Sequence, residues 1–128
     1  MRSFFAISVA FLALLPTWAN ARDAHEQARI DFLLRSVETA KGVTFIRNGS
    51  EYGGPAAAQH LRQKLNYGGE RLKTAENFIK YCATESSFTH RKYKVRTSDG
   101  VTKDASDYFN NLLREFDLKQ PKTADEKK

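Results

Sequence analysis

A small α+β domain, mostly helical, is the fold this sequence predicts: about four helices, with a small β-hairpin or short sheet between the third and the last. Three observations carry that expectation. Apolar residues recur at helical spacing in four separate stretches. Glycine or proline punctuates the joints between them, and one alternating run closes on an Asp-Gly turn.

Asp23-Ala24-His25-Glu26 has the form of a capping box, an acidic N-cap with a glutamate three residues on. Behind it Ala28, at the edge of the face, Ile30, Leu33, Leu34 and Val37 share one helical face, so the first helix runs to about Ala40 and Gly42 ends it. Val43 to Ile46 is a short β-prone run, and Asn48-Gly49 is a turn signal. The segment Gly49 to Gly54 reads as a connector with two tight turns, because Glu51 would repel an anion and Pro55 removes a donor from any phosphate loop there.

Pro55 suits a first helical position, and a second helix follows from Ala56 to about Tyr67 with Leu61 and Leu65 inward. Gly68-Gly69 stops it. A third helix is expected from Glu70 to Ala83, with Leu72, Ala75, Phe78, Ile79 and Cys82 on one stripe. Tyr93 and Val95 then alternate with charged residues before Ser98-Asp99-Gly100, a hairpin signal. The last helix starts near Asp104 or Ser106 and presents Tyr108, Phe109, Leu112, Leu113 and Phe116.

Residues 1–21 read as a signal peptide: Arg2 is a basic n-region, Phe4 to Leu15 an apolar core, and Ala19-Asn20-Ala21 a cleavage site. The apolar run is shorter than the about 20 residues a membrane span needs, so no transmembrane anchor is expected after cleavage. Residues 22–118 form a single globular domain, and residues 119–128 a disordered charged tail. The expected location is the periplasm of a Gram-negative bacterium, or secretion.

The full chain carries a formal net charge of +6, which falls to +5 without Arg2. That mild excess favours anionic partners but is too small for a dedicated nucleic-acid binder, so no nucleic acid is expected. Cys82 is alone, which excludes a disulfide framework, and its phase with Phe78 and Ile79 makes it a buried small hydrophobe. Histidines 25, 60 and 90 show no metal-ligand spacing, and no cofactor motif is present; neither metal nor cofactor is expected. Arg91, Lys92, Lys94 and Arg96 make a basic strand, read first as a solvated face that guards a sheet edge.

Several strings occur here in one order: AHEQARI at 24–30, FIRNG at 45–49, AAQHLRQKL at 57–65, TAENFI at 74–79, then Ser86-Ser87 and Tyr93-Lys94-Val95. Over about Ala24 to Phe116 the chain resembles the YfeK-like family of small exported bacterial proteins, a domain of unknown function. The resemblance implies export and one folding unit and assigns no activity. Family members commonly carry Gly-Lys-Pro before the tyrosine, where this chain has His90-Arg91-Lys92. That departure speaks against a mechanism needing a glycine backbone there.

Two function classes follow. The first is a binding or interaction module for an anionic cell-envelope component or a protein, its polar site drawn from Arg47, Asn48, His60, Lys64, Ser86, Ser87 and Tyr93. The second is a small hydrolase using His60 with Ser86 or Ser87, although no nucleophile motif surrounds either serine. No catalytic residue is assigned. Arg47 itself is expected to be held inside the domain, with Glu76 its first-named partner.

Overall fold

A computed structural model describes residues 22–121. The expectations of a signal peptide at 1–21 and of disorder at 122–128 lie outside the described residues; Lys119, expected in the tail, closes the last helix. The elements run α1 Ala24–Glu38, β1 Thr44–Arg47, β2 Ser50–Tyr52, α2 Gly54–Gly68, a 3₁₀ turn Gly69–Arg71, α3 Ala75–Cys82, β3 Lys94–Arg96, β4 Thr102–Asp104 and α4 Ala105–Lys119. The fold class is therefore α+β and mostly helical, as expected. No helix among the described residues is long and apolar enough to cross a membrane.

Asn48 and Gly49 both take positive φ, 50° and 81°. That combination belongs to a two-residue turn of the kind that twists with its strands, and it folds the chain straight back. Ser50–Tyr52 therefore pairs with Phe45–Arg47 as a strand, and the expectation of a connector at 49–54 is corrected. Ser50 and Glu51 have little β preference; backbone pairing across the turn overrides it. Together with the second hairpin, β3–β4, this makes a four-stranded antiparallel sheet in the order β2-β1-β3-β4.

Strand alternation then sets the faces. Phe45 lies opposite Tyr52 on one side and Val95 on the other, and this row packs into the core with Ile30, Leu33, Val37, Phe78 and Phe109. Cys82 is buried in the same cluster, where burial pushes its thiol up against the pull of Lys64. Two residues from that row, Arg47 at the end of β1 and Tyr93 just before β3 lie on the same side as Phe45 and Val95.

The third helix begins five residues later than expected. Thr74 is its N-cap, its side chain accepting from Asn77 N at 3.1 Å, and this cap outcompetes continuation from the preceding 3₁₀ turn. The box at α1 is also rearranged. Asp23 caps His25 and Glu26, but Glu26 turns away from Asp23, and its Oε2 accepts the first amide of α3, Ala75 N, at 2.7 Å.

Arg29, 7% exposed, sits where α1, α3 and α4 meet. Its guanidinium donates to Glu76 at 2.6 and 2.9 Å, to Asp117 at 2.9 and 3.1 Å, and to Glu26 at 2.9 and 3.0 Å. Glu76 is thus the partner of Arg29, and the expected Arg47–Glu76 pair is not formed. Arg47 belongs to the inner face of the sheet under α2, whereas Glu76 faces the junction of three helices.

Candidate binding site

Helix α2 lies over the end of the sheet and brings His60 between Arg47 and Lys64. Arg47 Nη1 is 2.9 Å from His60 Nδ1 and 3.0 Å from Nε2. Arg47 Nη2 donates to the Tyr52 hydroxyl at 3.3 Å, and its guanidinium lies 5.2 Å from the Tyr52 ring centre. The Tyr93 hydroxyl stands 3.4 Å from His60 Nε2 and accepts from Lys64 Nζ at 3.2 Å. Lys64 Nζ also reaches the Glu85 carbonyl at 3.4 Å and lies 5.1 Å from the Tyr93 ring centre.

The electrostatics of this cluster are one-sided. Burial, then Arg47 and Lys64, hold the His60 imidazole below its ordinary range, so at neutral pH the ring is uncharged and one nitrogen can accept from Arg47. Both cations are half-buried, and among the described residues neither is paired with a carboxylate. Their partners are hydroxyls, an imidazole, a carbonyl and aromatic faces.

The basic strand is the opposite case. Lys92 and Lys94 both reach Asp104, and Arg96 pairs with Glu51 at 2.8 Å. The charge of these three residues is answered on the sheet surface, in keeping with a solvated face, but β3 lies between β1 and β4, so the expectation that this strand guards a sheet edge is corrected.

Beside Arg47 and His60 lies a cavity of about 120 Å³ between the inner sheet face and α2, while Lys64 lines the groove beyond His60. Phe45, Leu61, Ala83, Tyr93, Ala105 and Phe109 are its buried lining, and Arg47, Tyr52 and His60 are its more exposed lining. On the other side of His60 a wide groove opens past Lys64 and Arg71, flanked by Tyr67 and Phe88 at 88% and 97% exposure.

Of the seven residues singled out in the sequence, Arg47, His60, Lys64 and Tyr93 converge. Asn48 and Ser86 do not join them. Asn48 Nδ2 donates to Ser86 Oγ at 3.3 Å, and Asn48 Oδ1 accepts from Thr89 at 2.6 Å, so the pair tethers the β1–β2 turn to the loop after α3. Ser87 is exposed on the groove. His60 makes its hydrogen bonds to Arg47 and Tyr93 rather than to a serine, so the Ser–His pairing of a hydrolase is not formed.

Tyr52 is the residue that sequence reasoning missed. Reading Asn48-Gly49 as a two-residue hairpin turn would have placed it opposite Phe45, on the face of Arg47. His90 also departs from expectation. It takes φ 57°, the backbone that favours glycine, held by His90 N to Ser86 O at 2.9 Å and a contact from its ring to Glu85. The left-handed conformation at that point is thus present without a glycine.

Comparison with known proteins gives a consistent result. The profile of a family of unknown function (DUF5329) matches residues 24–117. The chain is 42% identical over 93 residues to "Uncharacterized protein YfeK" of Salmonella typhimurium, covering 73% of this chain and 77% of that protein. No solved structure matches.

Proposed function

The chain belongs to the DUF5329 family, a family of unknown function, and from that premise we propose that it is an exported binding module for an anionic component of the cell envelope, recognised by Arg47, His60, Lys64 and Tyr93. One observation carries this reading. Two half-buried cations flank a histidine held neutral, and among the described residues no carboxylate answers either of them. Like charges gathered in a partly desolvated site repel until an anion arrives, and such perturbed clusters concentrate at functional positions. A carboxylate or phosphate would gain charge-assisted hydrogen bonds from Arg47 and Lys64. The adjoining groove, cationic and flanked by exposed aromatics, gives a larger envelope component room to lie beside the site.

Inorganic phosphate and acetate are the minimal probes. Titrated into isotopically labelled protein, they are expected to shift the signals of residues 47, 60, 64 and 93 together. The Arg47→Gln, Lys64→Gln double variant should bind at least about tenfold more weakly, since each charged hydrogen bond contributes about 1.5–3 kcal/mol. An anion next to His60 favours its charged form, so acetate binding should tighten as pH falls toward the depressed range of that imidazole. Shifts spread over the basic strand, or an unaffected double variant, would remove the proposal.

Export rests on the N-terminal segment. N-terminal sequencing of the protein recovered from its host should begin at Arg22; a retained Met1 contradicts it.

A further inference from the structure

Given that anion site, on which this inference rests, we propose that the ligand is amphiphilic: a slim apolar group seated in the cavity under α2, with its carboxylate or phosphate headgroup on Arg47 and Lys64. The cavity is the independent observation. A hollow of about 120 Å³, partly open to solvent and lined almost wholly by apolar groups, lies beside the main core of a small domain. The space exists because its walls are small. Ala57 of α2, Ala83 after α3 and Ala105 at the start of α4 converge there.

The walls also select the guest. A water inside needs two to four polar partners, and the buried lining of Phe45, Leu61, Ala83, Ala105 and Phe109 offers only hydrocarbon. The polar side chains of the lining gather at Arg47, Tyr52 and His60, which are partly exposed, and at the hydroxyl of the buried Tyr93, which is already bonded to Lys64. An apolar group inside and an anion outside would therefore satisfy both halves at once. An apolar cavity of about 150 Å³ takes a benzene ring, so this one fits a chain of roughly four or five carbons.

The test is a calorimetric titration of the whole domain with straight-chain carboxylates from acetate to octanoate. Alkylammonium ions of matching length serve as controls, and hexyl phosphate runs beside hexanoate. Affinity is expected to rise about fourfold per methylene, level off near pentanoate or hexanoate, and be absent for the ammonium series. Either headgroup binding with that chain-length gain supports the inference and identifies the better anion.

Ala57→Leu should remove the gain while acetate binding persists. Ala105→Val is the second variant, used if thermal denaturation shows that the first has lost its fold. Acetate binding without a chain-length gain would overturn the inference and leave the anion site standing. Ammonium ions binding as well as carboxylates would overturn the anion site, and the inference with it. A gain that survives in the folded cavity variant places the apolar contact elsewhere and also overturns it.

Discussion

Arg29→Ala is expected to destabilise the domain by about 3 kcal/mol, the low end for breaking a buried ion pair. The guanidinium is almost fully enclosed, and every nitrogen donates to Glu26, Glu76 or Asp117. Its removal leaves three carboxylates facing one another and loosens the Glu26 that caps Ala75 N. The low end applies because Glu76 and Asp117 are 58% and 43% exposed and can rehydrate. Arg29→Lys should recover only part of the loss, since a point charge cannot bind two carboxylates bidentately.

Urea denaturation measures both variants, through a lowered midpoint at constant slope. A loss under about 1 kcal/mol would reduce the network to an ordinary surface cluster. The acid limb provides a second readout. The hydrogen bond from Arg29 holds the Glu76 carboxyl below its ordinary value of 4.5. A depressed carboxyl contributes stability that is present above that ordinary value and lost as pH falls through the folded one. In Arg29→Ala this loss between the two values should shrink.

The second large effect is expected at Gly54→Ala, about 2–3 kcal/mol, toward the upper part of the range for overpacking a close contact. A Cβ there would stand 2.3 Å from the Val37 carbonyl oxygen and 3.1 Å from that of Glu38. Those are backbone atoms at the end of α1, so relief requires moving α1 and α2 apart. Gly54 does not need positive φ; it is needed for space. Its neighbour is the control. Gly53 has φ −76°, and a Cβ added to it would meet nothing within 4 Å. Gly53→Ala should therefore fall within about 0.5 kcal/mol of the parent or stabilise slightly. Equal losses in the two variants, measured by the same denaturation, would deny the close approach.

Much of the fold was legible because its signals are short-range. Asp23 before α1, Pro55 opening α2 and the stripe of Phe78, Ile79 and Cys82 each act within a turn or two of helix. The Asp99-Gly100 hairpin works in the same way, with Gly100 at φ 84°. Where two local signals competed, the stronger-looking one misled. The stripe through Leu72 suggested one helix, although Leu72 is buried without being helical and Thr74 starts α3. Arg29 also carried a readable sign: it sits four residues before Leu33, in phase with the core stripe, with Glu26 one turn earlier.

By itself, then, the sequence determined the helices, the second hairpin, the burial of Cys82 and membership of a family. Tertiary structure alone decided who meets whom. Arg47 pointed inward because its strand alternates with Phe45, and it found His60 because α2 crosses that face. Glu76 was claimed by Arg29, 47 residues away in sequence. The physical reason is that hydrogen-bond partners and cavities depend on which faces the packed elements oppose. Periodicity says only that a face exists; the packing of α1, α2 and the sheet against one another chooses what it looks at.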